Sequence, residues 1–249
     1  MSTRLACVVF DADRPRFIAD FWAELLGWGV TIDRPDEVDV AAPDPDGVDL
    51  ALTFLPAARA KNGKNRIHLD LASRSIDHQR VQVDRALSLG ARRIDIGQGA
   101  VPWVVLADPE GNEFCVLEPR EEYVDTGAVA AIVVDTRDPV RLAEFWSTAS
   151  GWPVAHGGEQ IAGLRSATGL GSWLEFVRTP DEKSGRNLLH LNVASFDDQA
   201  AEVARLRAAG ATPIDQADVN PGKALGLTLA DPETNEFCLL RPARDCSTV

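Results

Sequence analysis

A twelve-residue stretch, Leu106-Ala107-Asp108-Pro109-Glu110-Gly111-Asn112-Glu113-Phe114-Cys115-Val116-Leu117, returns near the C-terminus as Leu229-Ala230-Asp231-Pro232-Glu233-Thr234-Asn235-Glu236-Phe237-Cys238-Leu239-Leu240. The starts differ by 229 − 106 = 123, half of a 249-residue chain, so the chain is a tandem duplication. Each copy reads as apolar run, tight turn, apolar run: one antiparallel hairpin. Asp-Pro opens the turn because proline fixes φ, and Gly111 or Asn112 supplies the positive φ that closes it. The second copy has Thr234 in place of Gly111, which moves the expected left-handed position to Asn235.

Upstream, the halves keep the same order. Leu5 to Phe10 reads as a strand ending at Asp11, followed by a helix opened by Pro15, with Asp13 or Arg14 at its cap. Phe17, Ile18, Phe21, Trp22, Leu25 and Leu26 lie at helical spacing up to the stop at Gly27. Ile132 to Val134, Asp138-Pro139, Phe145, Trp146 and Gly151 repeat this, at an offset of 146 − 22 = 124. Three short strands follow in the first half, the last spanning Val48 to Leu55 and matched by Ser172 to Val177. Next come two basic connectors, Lys61 to Arg66 and Lys183 to Asn187, read as solvated. The strands Ile67-His68-Leu69-Asp70-Leu71 and Leu189-His190-Leu191-Asn192-Val193 lead into helices Asp77 to Leu89 and Asp197 to Ala209. Each half thus reads β-α-β-β-β twice. The expected domains are 1–120 and 128–249, joined by a polar linker, 121–127.

The balance of 38 acidic against 25 basic side chains gives −13, which disfavours nucleic acid and anionic membranes as partners. No apolar run reaches the ~18 residues of a membrane span, and the expected location is the cytoplasm. Four cysteines form no C-x-x-C pair, and Cys7, Cys115 and Cys238 lie in apolar strands as buried thiols. Cys246 lies in a polar tail. No G-x-S-x-G elbow, phosphate loop or dinucleotide fingerprint is present.

Lys64-Asn65-Arg66-x-His68-Leu69-Asp70, the helix ending Leu89-Gly90-Ala91, the Phe-Trp…Gly-Trp helices and the Asp-Pro-Glu hairpin together resemble the vicinal oxygen chelate superfamily. The likeness is to its glyoxalase-like, bleomycin-resistance-related branch, over residues 4 to 242. The resemblance implies an α+β fold of paired βαβββ modules, with cup-shaped sheets and helices outside. It also implies metal-ligand positions at Cys7 (or Ala6), Ala51, His68 and Cys115 in the first half, and at Ala131 (or Ala130), Glu175, His190 and Cys238 in the second. A catalytic divalent site wants three protein ligands, usually His, Asp or Glu, and neither half supplies three. The expectation is therefore no metal and no cofactor, the alternative being a soft zinc or copper trio of Cys7, His68 and Cys115.

Period-two alternation puts His68 with Asp70, and His190 with Asn192, on the concave faces. Asp11 and Asp135 end the first strands, placed either to orient a histidine or to cap the following turn. Trp103 and Trp173 alternate onto the same concave faces, as ligand-stacking or rim residues. Gly226, opposite Trp103 in the repeat, is read as opened volume, and Glu175 with His190 as the polar pair beside it. These residues favour the C-terminal half as the binding half. The leading reading is a metal-free small-molecule-binding protein, monomer or homodimer, with a sequestering role. The competing class is an enzyme of the same superfamily with His190, Glu175 or His68 as acid or base; a metal-dependent dioxygenase is third.

Overall fold

The computed structural model describes residues 3–43, 50–57, 61–196, 198–214 and 226–241. Cys246, Asp197 and the start of the strand expected from Val48 lie outside them.

Four β-α-β-β-β modules follow one another, as the repeat predicts. The first is β1 (Thr3–Ala12), α1 (Pro15–Leu26), β2 (Gly29–Arg34), β3 (Glu37–Ala41) and β4 (Ala51–Pro56). The second is β5 (Ile67–Leu71), α2 (Ile76–Ser88), β6 (Arg92–Arg93), β7 (Val104–Ala107) and β8 (Glu113–Val116). After a 3-10 turn at Glu121–Tyr123 comes the third: β9 (Val129–Thr136), α3 (Pro139–Ser150), β10 (Val154–His156), β11 (Ile161–Leu164) and β12 (Trp173–Arg178). The fourth is β13 (Leu189–Ser195), α4 (Gln199–Ala208), β14 (Thr212–Pro213), β15 (Gly226–Ala230) and β16 (Glu236–Leu240).

The strands assemble across the duplication. One sheet runs β14-β15-β16-β13-β1-β4-β3-β2 and joins modules one and four; the other runs β10-β11-β12-β9-β5-β8-β7-β6 and joins modules two and three. Neither half closes a sheet of its own. The seams are antiparallel, with Val9 opposite His190 in one and Val133 opposite His68 in the other. A central strand must be apolar on the helix face and tolerate burial on the other. β9 does so along its whole length, with every residue buried.

The repeated hairpin explains its own sequence. Asp108, 1 % exposed, accepts the backbone N–H groups of Glu110 and Asn112 on Oδ1, and the Trp22 indole N–H (3.3 Å) on Oδ2. Asp231 repeats this with Glu233, Asn235 and Trp146. Burial raises the Asp108 carboxyl to about 6, against the pull of these donors. Arg14 is the N-cap residue of α1 but supplies no side-chain cap; instead Glu110 of the hairpin accepts the N–H groups of Asp13 and Arg14 (3.0 and 2.8 Å). In α3 both devices act: Asp138 accepts from Arg141 N–H, and Glu233 from Arg137 and Asp138. The connector expected to be solvated is pinned instead. Asn65 and Arg66 are buried; Asn65 donates to Asn112, and Lys61 pairs with Glu113 at 2.7 Å. Asn187 and Lys183 do the same to Asn235 and Glu236. Edge-to-face contacts of Trp22 with Phe114 (5.1 Å) and Trp146 with Phe237 (5.4 Å) back each turn.

Two expectations are corrected here. The left-handed residue of the second turn is Thr234 (φ 66°), the direct counterpart of Gly111 (φ 91°), and not Asn235. The buried Asp231 bonds hold the turn in one geometry and force the threonine into it. Gly226 opens no volume: a Cβ built there runs into the Leu239 carbonyl, so glycine is present because two backbones touch.

Thr234→Gly is expected to stabilise the fold by about 1 kcal/mol, because a β-branched residue is strained at positive φ; a denaturant midpoint raised at constant m-value checks it. Residues 1–120 produced alone leave β1 and β5 without their partners β13 and β9. That fragment is expected to self-associate or aggregate, and to form a 1:1 folded complex when mixed with 128–249. Sedimentation showing a folded monomer of 1–120 would contradict the cross-half assembly.

Candidate functional site

Sheet exchange re-sorts the polar residues between the two concave faces. Glu175 and His190, paired by position within one half, lie on different sheets, so they do not form the polar pair expected of the C-terminal half.

The face of the first sheet holds Cys7 beside Asn192 and Ala51, with Val9 beside His190 and Thr53. Cys238 follows Asn192 across the sheet and contacts Thr228 Oγ1 at 3.4 Å. Asn192 Oδ1 accepts the Cys238 N–H. Burial pushes the Cys7 thiol up to about 12. Thr53, not Ala51, occupies the place of Glu175, since each pairs with the equivalent residue of the central strand, Val9 or Val133. The offset there is 175 − 53 = 122, because the preceding loop differs in length between the halves. Ala51 instead corresponds to Trp173.

The face of the second sheet is the more polar. His68 and Glu175 flank Val133, Asp70 and Trp173 flank Ala131, and Cys115 lies next to Asp70. Trp103 and Trp173, from different halves, pack around Cys115, Leu117, Tyr123 and Ala130. The floor of this face is buried, with His68 8 % exposed, Cys115 4 %, Tyr123 8 % and Glu175 6 %, while Asp70, Trp103 and Trp173 are half-buried. The Tyr123 hydroxyl donates to both Glu175 oxygens, at 3.0 and 3.3 Å. His68 Nε2 lies 3.5 Å from Asp70 Oδ1, yet Asp70 Oδ1 and His68 Nδ1 are buried without a hydrogen-bond partner.

Electrostatics follow from that burial. His68 is pushed down to about 3 by desolvation and then by Lys64, with Glu113 opposing, so it stays neutral. Asp70 is pushed up to about 7 by desolvation; a bond from Cys115 opposes this, Glu175 adds to it, and Arg120 and Lys64 oppose it. Glu175 is raised by burial against the Tyr123 bond, and the Cys115 and Tyr123 protons are held by burial and the neighbouring carboxyls.

The donor atoms of His68, Asp70 and Cys115 lie within 4.8 Å of one another, close enough for one ion to touch all three. Nitrogen, oxygen and sulfur suit a borderline-soft cation such as zinc better than magnesium or manganese. The cluster combines β5 and β8 and adds Asp70, a residue outside the ligand positions implied by resemblance.

Asp135 is committed elsewhere: its carboxylate pairs with Lys64 at 2.6 Å, and its carbonyl accepts from Arg66. Asp11 is buried and lines a polar cavity of about 220 Å³ with Lys61 and Glu110. Sequence reasoning missed Tyr123, Arg120 and Arg165. The Arg120 guanidinium lies over Trp103 and Tyr123, and that of Arg165 over Trp173 at 5.0 Å. Tyr123 offered one signal, as the single tyrosine of the chain set in an otherwise polar linker.

Asp70 gives a pH test. Its folded-state value, about 7, is above the ordinary ~3.9 of an unfolded chain, so the native state holds the proton longer. The penalty for ionising it is absent below about pH 4, grows as pH rises, and is complete above about pH 7. Asp70→Asn should therefore gain stability relative to wild type between pH 4 and 7.5, by on the order of a few kcal/mol. Equal stability differences across that range would contradict the burial argument.

The sequence matches the pattern of a glyoxalase-like domain over residues 7–117 and again over 131–240. No curated protein matches the chain. Among solved structures, glyoxalase I from Zea mays is 14 % identical, with 96 % of this chain and 92 % of that chain covered and a TM-score of 0.67. A putative dioxygenase from Bacillus subtilis is 16 % identical, with 98 % and 86 % covered and a TM-score of 0.61. Those likenesses concern the fold. The domain pattern occurs twice, once in each half, and the chain belongs to the glyoxalase-like domain family of the vicinal oxygen chelate superfamily.

Proposed function

We propose that the protein binds a small organic molecule on the concave face of the second sheet, without a metal, in a sequestering, resistance-like role. The observation that carries this reading is the buried floor. Asp70 Oδ1 and His68 Nδ1 lack partners among Trp103, Trp173 and Tyr123. A buried polar atom left unpaired costs about 1–3 kcal/mol, and a ligand supplying the missing partner recovers it. The two indoles offer flat apolar walls, while Asp70 and neutral His68 offer both donor and acceptor.

Sequestration is favoured over catalysis by His68 because a histidine pushed down to about 3 is a weak base at neutral pH. A second reading rests on Asp70: a carboxyl near 7 is suited to proton abstraction, making this residue, not His68 or His190, the base of an enzyme. If a cation bound, His68, Asp70 and Cys115 would hold it, and it would polarise a ligand oxygen.

A thermal-shift screen with flat aromatic compounds tests the site. A stabilising compound should lose its effect in Trp173→Ala and in Asp70→Ala, and keep it in His190→Ala. Loss in His190→Ala alone would move the site to the first sheet. Protein purified without added metal should carry well under one equivalent of Zn, Fe, Mn or Ni. A stoichiometric ion removed by His68→Ala or Asp70→Ala would replace the metal-free reading.

A further inference from the structure

Tyr123 is out of place for a linker residue. It belongs to no sheet, yet its ring is buried in one cluster with Cys115, Leu117 and Ala130, against which Trp103 and Trp173 pack. Its hydroxyl satisfies a carboxylate on the floor of the concave face. The backbone that carries it is tied by Thr126 Oγ1, which donates to Tyr123 O at 2.8 Å, and by a few bonds from its surroundings. The 3-10 turn makes two long hydrogen bonds, Tyr123 N–H to Arg120 O (3.2 Å) and Val124 N–H to Glu121 O (3.4 Å). Trp173 Nε1 donates to Glu122 O at 3.2 Å, and Gly171 N–H to Asp125 O. The linker, Tyr123 included, lines a groove of about 880 Å³ together with Trp28, Arg74, Arg85 and Arg120. Val124, the next residue, is 74 % exposed. A short segment outside both sheets therefore sits between a polar floor and an open groove.

The floor beneath it is not satisfied by it. Tyr123 engages Glu175 only, while Asp70 Oδ1 and His68 Nδ1 remain unpaired. A residue present solely to complete a core would be expected to leave no such atoms behind.

We infer that Tyr123 is an internal stand-in for the ligand: a phenol ring, tethered by the linker, that a flat hydroxyl-bearing aromatic molecule displaces from the cluster against which Trp103 and Trp173 pack. This rests on the concave face of the second sheet being the binding site. The displacing molecule must replace the hydrogen bond to Glu175, which defines its donor, and must be flat, which the two indoles define. A larger ring system than tyrosine, or one with a second polar group, reaches Asp70 and His68 as well. Because the tethered ring competes at every moment, apparent affinity is lowered by the fraction of time the face is free.

The probe is 2-naphthol, with naphthalene as the partner lacking a hydroxyl, titrated into the full chain by tryptophan fluorescence. Tyr123→Phe keeps the ring and loses the bond that holds it to Glu175. It should bind 2-naphthol about three- to tenfold more tightly than wild type, the range a single net hydrogen bond accounts for. Tyr123→Ala should bind at least as tightly, and naphthalene more weakly than 2-naphthol in both variants. Saturating 2-naphthol should speed backbone amide exchange in residues 121–127 of the wild type, an effect that a purely structural tyrosine would not produce. Unchanged or weaker affinity in Tyr123→Phe, or slowed exchange in the linker, overturns displacement. So does the absence of 2-naphthol binding to any of the three proteins. If another compound still depends on Trp173 and Asp70, only displacement has failed. If none does, the site itself has failed.

Discussion

The buried carboxylate of each hairpin turn is the interaction the rest of the structure depends on. Asp108 joins three things that the chain must otherwise hold separately: its own turn, the indole of Trp22 on α1, and, through Asn112, the connector at Asn65. The hairpin lies in the second sheet and α1 packs on the first, so this network binds module one to module two. Asp231 binds module three to module four in the same manner. The seams β1/β13 and β5/β9 then join one to four and two to three. Four modules form a closed ring with two kinds of joint, one polar and buried, the other a strand ladder. Neither kind alone would close it.

That distinction sets what the sequence could reveal. Turn, helix and module order were legible because they depend on neighbours in the chain: Pro139 behind Asp138, Gly27 after Leu26, alternation through His68 and Asp70. The partners of β1 and β5 were not, because strands of the same module type carry nearly the same apolar text and any of them could pair. Fold-level likeness supplied cups but not which modules share one. That single choice decides whether Glu175 faces His190 or His68, and it is why the polar pair inferred for the second half dissolves. The connector error has a related cause. Lys64-Asn65-Arg66 looks solvated until the hairpin that accepts its hydrogen bonds folds over it.

The two concave faces show how little of the chemistry the scaffold fixes. His68 and His190, and Cys115 and Cys238, occupy matching places. Asp70 is matched by Asn192, Glu175 by Thr53 and Trp173 by Ala51. One face carries two buried carboxyls, the other an amide and a hydroxyl, while Asp108 and Asp231, Trp22 and Trp146 are kept unchanged. Carboxyl for amide at the same depth changes little in volume and much in proton affinity. The faces therefore differ in charge and acidity on a shared frame.

The second face is costly to keep, and the origin of the cost supports the binding proposed for it. Asp70 and Glu175 are both shifted upward by burial, and each raises the other's difficulty in ionising or that of Tyr123. A core needing only to be full would replace them with apolar residues of similar volume, as Val133 and Ala131 do between them. Two acids, a neutral imidazole and a phenol, walled by indoles, instead make a cluster of donors and acceptors in a medium where each is worth more than in water. The same low dielectric that makes the unpaired atoms expensive makes their satisfaction by a guest strong. A ligand site of the kind proposed would discriminate by hydrogen bonding first and by shape second, because the penalty for leaving Asp70 Oδ1 unpaired would fall on every ligand that cannot reach it.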